Sequence, residues 1–318
     1  MLSEFELIRR FFTRDARRAI LGVGDDCALL AVPPGSELAV STDMLVCGVH
    51  FFADARPDWL GHKALAVNLS DLAAMGAVPR WTLLALALPA ADESWLSAFA
   101  AGFFALADRY GVELVGGDTT RGPLNICITV GGELPAGSAL RRDGAKPGDD
   151  VWVSGTTGDA ALALAGLRHE VSLAADDAIK LGERLLRPMP RVELGIALRG
   201  IANSAIDVSD GLAADLGHVL ERSGCGASIE FSALPRSAEL LRCTDHAVAT
   251  RCAIAGGDDY ELCFTAAPAQ RGSIAALSGD LGLPLTMIGR IDSAPGLRVR
   301  DAAGRAVAFD GGGYDHFR

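Results

Sequence analysis

Lysine is scarce in this chain: its 318 residues include only Lys63, Lys146 and Lys180. The pattern G-x-x-x-x-G-K-[ST] does not occur, which excludes a P-loop enzyme. Neither H-R-D nor D-F-G is present, which excludes the protein-kinase arrangement. GVGDD fails the dinucleotide pattern G-x-G-x-x-G, and no G-x-S-x-G marks a nucleophile elbow. The six histidines show no metal-protease spacing. Cysteine is thin and unpatterned. Cys27, Cys47, Cys127, Cys225, Cys243, Cys252 and Cys263 make an odd count of seven, with no C-x-x-C and no zinc spacing. Scattered thiols in apolar stretches such as NICITV and ELCFT imply free cysteines in a reducing, cytoplasmic setting. Long hydrophobic runs are missing too. WTLLALALPAA and WLSAFAAGFFALA are broken by proline or fall short of a membrane span. The N-terminal MLSEFELIRRFF lacks the order of a secretory signal.

Positive charge is in deficit. Lys and Arg total 29 against 40 Asp and Glu, for a net charge of −11. That excludes general nucleic-acid or anionic-membrane partners. An anionic substrate stays open, because bound metal ions would invert the local field. Half of the residues are hydrophobic and 22% are charged, as in an ordinary globular protein. The length allows two domains.

The periodicity predicts an α/β chain. A helix over 5–12 carries Phe5, Ile8, Phe11 and Phe12 on one side. Strands follow at 37–42, 46–52, 80–88, 112–116 and 124–134, with helices at 58–75 and 92–110 between them. The turn-rich stretch 135–149 separates a domain over 1–137 from one over 148–318. The second half opens with a strand at 150–154 and helices at 158–168, 175–186, 191–202 and 211–222. Strands at 227–230, 260–265, 285–290 and 297–300 complete it. No repeat of fixed period is present.

What the chain does have is aspartate in five turn-like segments at the ends of apolar runs. They are Gly24-Asp25-Asp26, Ser41-Thr42-Asp43, Leu69-Ser70-Asp71, Gly116-Gly117-Asp118 and Asp207-Val208-Ser209-Asp210. A carboxylate beside buried apolar residues is costly unless paired. With so little lysine, a shared divalent cation is the expected partner. Oxygen-only ligands suit a hard ion, and Mg²⁺ usually arrives with phosphate. Asp71 is the sharpest case, since it lies in an all-apolar helix with Asn68 one turn back. Gly116 and Gly117 let backbone approach a phosphate. Ser209 or Asp210 could instead cap the helix that follows, although a helix N-terminus also favours anions. GTTGD at 155–159 reads as a second phosphate cradle or a plain connection. GGDDYE at 256–261 gathers three acids, and Tyr314 in the tail could stack on a ring or only anchor the terminus.

Taken in order, GVGDDCALL, STDMLVCGVHF, KALAVNLSDLAAMGA, GGDTTRGPL, SGTTGDAALAL, SAIDVSDGLAADL, GGDDYELCFT and GYDHF closely resemble the bacterial thiamine-monophosphate kinases. That family lies within the aminoimidazole ribonucleotide synthetase (PurM-like) superfamily, and the resemblance spans nearly the whole chain. It implies two α/β (α+β) domains. The N-terminal domain would pair into a β-barrel-like homodimer core, and the C-terminal domain would form an α/β sandwich. It also implies transfer of phosphate from ATP to thiamine monophosphate, the last step of thiamine diphosphate biosynthesis. By motif, Asp26, Ser41, Thr42, Asp43, Asp71, Asp118, Asp207 and Asp210 would hold several Mg²⁺ ions. Tyr110, Gly117, Asp118, Arg142 and Ser209 would contact ATP. His50, Asp258 and Tyr314 would contact thiamine monophosphate. The family usually has Glu where this chain has Asp258.

No general base is expected, because the acceptor is already an anionic phosphate oxygen. The alternatives are another ATP-using PurM-like synthetase and a non-catalytic nucleotide-binding protein. A selenophosphate synthetase would carry a reactive Cys and a Lys before the first Asp-turn, and residues 1–24 have neither.

Overall fold

The computed structural model describes residues 3–24 and 26–309. The chain divides into two units, Met1–Leu72 with Ala77–Gly137, and Ala73–Gly76 with Ser138–Arg318. No helix among the described residues is long and apolar enough to cross a membrane.

The first unit opens with a short helix, α1 (Glu4–Leu7), started by a reciprocal Ser3–Glu6 capping box. One π-turn, Ile8–Phe12, continues it. Then come β1 (Ser36–Val46), α2 (Pro57–Ala74), β2 (Val78–Leu88), α3 (Glu93–Tyr110), β3 (Glu113–Arg121) and β4 (Asn125–Pro135). The strands form one sheet in the order β1-β4-β2-β3. Only the β2–β3 pair is parallel, and α3 makes its crossover. Asp92 caps α3 by accepting from Ser94 and Trp95 N–H groups at 2.8 and 3.1 Å. Gly111, at φ 63°, ends it in the left-handed conformation.

Helix α2 is buried almost end to end, including His62, Lys63 and Asn68. It crosses α3 at backbone contact. A Cβ on Gly61 would stand 2.1 Å from the Phe99 carbonyl oxygen, and one on Gly102 would stand 1.7 Å from that of Asp58. The sheet is two-sided. Ile126, Ile128, Val130, Leu84 and Leu86 are buried, whereas Leu38, Val40 and Met44 of β1 are exposed on alternate positions.

Two expectations need correction here. The strand expected over 46–52 does not form. The chain turns at Gly48, φ 81°, where Val49 and His50 donate to the Val46 carbonyl. The apolar run there covers the turn rather than extending the sheet. Nor are Ser41-Thr42-Asp43 and Gly116-Gly117-Asp118 turns: both lie inside strands, β1 and β3.

The second unit holds β5 (Asp150–Ser154), α4 (Asp159–Leu167), α5 (Ala175–Leu186), α6 (Val192–Leu198), β6 (Ser204–Asp207), α7 (Leu212–Ser223), β7 (Gly226–Glu230), α8 (Ala238–Leu241), α9 (His246–Ala255), β8 (Leu262–Ala266), α10 (Arg271–Leu281), β9 (Leu285–Asp292) and β10 (Gly296–Arg300). Its sheet runs β10-β7-β9-β5-β8-β6. Central β5 and β8 bury Val151, Val153 and the whole of β8, against Leu162, Leu212 and Leu216 of the covering helices. Helices α8, α9 and α10 form where no element is expected from periodicity. Serine, threonine, glycine and alanine dilute their apolar stripes. The helix expected over 191–202 stops at Leu198.

Candidate active site

In the first unit, β1 and α2 are stitched together at the acidic residues. Ser41 and Asp43 point to the helix side of β1. The Ser41 hydroxyl donates to Asp71 Oδ2. The Asp43 backbone N–H donates to Asn68 Oδ1 at 3.1 Å, and Asn68 Nδ2 donates to the Ala64 carbonyl at 3.0 Å. Buried Asn68 therefore sets the spacing between the two aspartates. Thr42, one residue on, faces the other way and meets Thr129 Oγ1 at 2.8 Å.

Asp118 lies elsewhere. Asp43 pairs with Ile128, Ile128 with Leu84, and Leu84 with Gly117. That row spans three interstrand gaps, or about 14 Å. Asp118 is one residue further, in the row of Ala85, Cys127 and Met44, on the face opposite Asp43. Within this unit the sheet keeps Asp43 and Asp71 apart from Asp118. Asp118 and Gly117 instead share a cleft of about 790 Å³ along the edge strand with exposed Asp26. Aromatic and aliphatic groups, including Phe5, Phe12 and Trp81, wall that cleft. Gly117 is required where it stands: φ is 147°, and a Cβ would lie 1.9 Å from the Leu84 carbonyl oxygen.

Tyr110 closes α3, before the start of β3 at Glu113. His50 sits on the Gly48 turn with Nδ1 accepting from the Val46 N–H at 3.0 Å. In the second unit the Arg142 side chain is exposed, while its carbonyl accepts from Ser223. Tyr314 and the GYDHF motif lie outside the described residues.

The second unit does assemble its candidates. Asp207 ends β6, and Val208, Ser209 and Asp210 turn into α7. Segment 258–261 is zipped onto that turn. Asp258 N–H donates to the Ser209 carbonyl and Tyr260 N–H to the Val208 carbonyl, both at 2.8 Å. Asp258 and Ser209 are thereby neighbours. Asp258 and Tyr260 both adopt left-handed backbone, φ 68° and 50°, and the Tyr260 hydroxyl donates to Asp258 Oδ1 at 3.0 Å. Such strain on non-glycine residues collects at functional sites.

The three acids of GGDDYE take three different roles. Asp258 stays at the partly exposed rim. Asp259 is buried and accepts from Gly158 N–H at 2.7 Å, at the start of α4. Glu261 is fully buried between Arg184 and Arg191, and Ser154 donates to it at 2.6 Å. The GTTGD segment is thus a connection into the buried charge network. Its Gly155 is forced by that network, since a Cβ would meet Glu261 Oε1 at 2.2 Å.

Sequence reasoning passed over Asp215. It lies in the first turn of α7, 3% exposed, and its Oδ2 accepts from Ser209, Asp210 and Gly211 N–H groups at 3.0, 3.1 and 3.1 Å. Burial, and then the charges of Asp207 and Asp210, push its pKa up to about 8. Burial and the neighbouring acids thus disfavour its ionised form. The available signal was an aspartate four residues after the Asp-Gly helix start.

Among the described residues, no group of three or more His, Cys, Asp or Glu is placed to hold a metal ion alone. The acids occur as oxygen-only sets flanked by hydroxyls. That donor chemistry fits Mg²⁺, which is commonly held by one or two carboxylates plus water and phosphate oxygens.

Two adjoining segments match the AIR synthase related protein family: its N-terminal domain over residues 24–134 and its C-terminal domain over residues 146–302. The thiamine-monophosphate kinase of Salmonella typhimurium is 52% identical over 321 residues, covering 99% of this chain and 98% of that protein. This chain belongs to the thiamine-monophosphate kinase family. Its members' solved structures share the fold. The crystal structure of the Stenotrophomonas maltophilia thiamine-monophosphate kinase superposes with a TM-score of 0.85 at 50% identity, over 95% of each chain. A second kinase structure, AaThiL complexed with AMPPCP and TMP, gives 0.77 at 33% identity over 87% of each chain.

Proposed function

We propose that this chain transfers the terminal phosphoryl group of ATP to thiamine monophosphate, forming thiamine diphosphate and ADP. The observation that carries the reading is full-length similarity: 52% identity to a curated kinase across 99% of the chain. The site chemistry agrees. An acceptor phosphate oxygen is already anionic, so nothing must remove a proton from it. The obstacle is bringing two polyanions into line.

The residues that would hold Mg²⁺ are Asp43 with Asp71 and Ser41, then Asp26 and Asp118, with Thr42 on the face of Asp118, then Asp207 with Asp210. Bound there, the ions would neutralise phosphate charge and stabilise the transferring group. Gly117 would admit a phosphate close to the backbone. Ser209, Arg142 and Tyr110 would contact ATP, and His50, Asp258 and Tyr314 the thiamine phosphate. The acceptor oxygen attacks the terminal phosphorus as the bond to the ADP oxygen breaks, with no phosphoenzyme.

The test is ADP release with Mg-ATP across a panel of phosphate acceptors. Release that depends on thiamine monophosphate supports the reading. ATP binding without turnover favours a nucleotide sensor, and turnover on another acceptor favours a different synthetase. A phosphorylated protein trapped with labelled ATP would exclude direct transfer.

A homodimer belongs to the same proposal. Leu38, Val40 and Met44 line the exposed face of the first sheet, where a second copy would cover them. Thr42 and Asp118 share that face, so pairing would enclose acidic groups from both copies. Sedimentation should give a dimer, and Val40→Lys with Met44→Lys should give monomers. A cytoplasmic location is proposed from the free thiols.

A further inference from the structure

We infer that Asp215 is a positioning residue for the acidic turn that precedes α7. Its carboxyl occupies the converging N–H groups of that turn, which then presents side-chain oxygens to a cation. The inference rests on the proposal that Asp207 and Asp210 hold metal.

Successive backbone N–H groups that converge in a turn make an anion-binding nest. Here the N–H groups of Ser209, Asp210 and Gly211 all converge instead on one oxygen, Asp215 Oδ2, at 3.0 to 3.1 Å. That carboxylate is 3% exposed. It fills the place a phosphate would take, from inside the protein. Three of its carbonyls are occupied as well. Val208 and Ser209 accept from Tyr260 and Asp258, and Gly211 accepts from Asp215 N–H at 3.0 Å. Gly211 is pressed against Ala255: at φ 113°, its Cβ would stand 2.6 Å from the Ala255 carbonyl carbon.

With these N–H groups and carbonyls taken, the turn offers ligands chiefly its side chains. Asp207, Ser209 and Asp210 supply only oxygens, and an oxygen set of this kind recruits a cation. Nucleotide phosphate would therefore reach this turn through metal or the Ser209 hydroxyl, not through the N–H groups of 209–211. Asp215 itself touches neither, and its effect passes through the turn.

The experiment compares wild type, Asp215→Ala and Asp215→Asn as full-length proteins. Asn keeps an acceptor oxygen of the same reach and loses the charge. Three readouts are taken: Mn²⁺ binding without nucleotide by water-proton relaxation, amide hydrogen exchange at 209–211, and the Mg²⁺ concentration for half-maximal ADP release. Asp215→Ala should weaken Mn²⁺ binding and raise the Mg²⁺ requirement about 10-fold or more, as for other residues that orient metal ligands. It should also speed exchange at 209–211. Asp215→Asn should recover most of all three.

If Asp215→Ala does not fold, Asp215→Ser, too short to reach the three amides, replaces it. Unchanged metal binding and exchange in the short variant overturn the inference. So does an Asp215→Asn as impaired as the short variant, because the charge would then be what matters. A wild type that releases no ADP with thiamine monophosphate sinks the kinase reading, and the Mn²⁺ and exchange arms still decide the role of Asp215.

Discussion

The two units carry acidic residues by different means. In the first, Asp43 is built into a strand and Asp71 into a buried helix, and Asn68 and Ser41 tie the two elements together. The sheet ladder and helix packing hold the backbone, so little else is needed. In the second, Asp207 ends β6 opposite Leu262, and Asp210 lies on the turn beyond that ladder. A buried carboxylate gathers the N–H groups and segment 258–261 gathers the carbonyls. Regular structure positions side chains through its own hydrogen bonds. Irregular backbone needs side chains recruited for that purpose.

The first unit uses the same device once, where its own chain is irregular. Glu113, at the start of β3, accepts from Arg17, Arg18 and Ala19 N–H groups at 2.8 to 3.2 Å. It anchors the segment that leads to Asp26. Carboxylate clamps thus mark the places where strands and helices do not hold the chain.

Four measurements sharpen or break this contrast. The largest effect is expected at the support of the second unit. Glu261→Ala leaves half-buried Arg184 and Arg191 without their shared, fully buried acid, and should lower stability by about 3–5 kcal/mol in urea unfolding. A loss below about 1 kcal/mol would mean that the turn stands without its scaffold. Next comes Asp71→Asn in the first unit. Turnover should fall by about 2–4 kcal/mol in activation free energy, with unchanged unfolding, because the helix keeps its packing. Near-normal turnover at limiting Mg²⁺ would remove Asp71 from the metal-holding set.

Glu113→Gln should cost less, about 1–3 kcal/mol, and loosen 17–19 to proteolysis. Its pH dependence has a definite sign. Burial alone would raise the Glu113 carboxyl, but the N–H groups of Arg18, Ala19 and Arg17 outweigh it and hold the pKa low. Its contribution is therefore present above the ordinary carboxylate value, about pH 4, and is lost as pH falls through the lowered one. Acid titration of stability should be flatter in Glu113→Gln than in wild type. The smallest effect belongs to Tyr260→Phe, which removes one hydroxyl bond to Asp258, about 0.5–1.5 kcal/mol. KM for thiamine monophosphate should rise a few-fold with KM for ATP unchanged. Equal shifts would make the pair structural.

Much of this was legible in the residues. Periodicity and caps mark α2, α3, α5 and α7 closely, because Asp92, Gly111 and the apolar stripes act locally. The family follows from the order of the motifs. Helices α8 to α10 were hidden, because their stripes are short and diluted. The segment over 46–52 misled, because an apolar run can cover a turn as easily as fill a strand.

Composition and order by themselves determined the class: an α/β chain, acidic, poor in lysine, with aspartates set beside apolar runs. Tertiary structure alone decided how those acids are divided. Strand register placed Asp43 and Asp118 on opposite faces, since a shift of one residue reverses a side chain. Asp215, Asp259 and Glu261 look no different from Asp210 and Asp258 in the linear chain. Only packing shows which carboxylates turn inward to satisfy backbone and arginine, and which remain at the rim, because burial and hydrogen-bond partners come from residues far away along the chain.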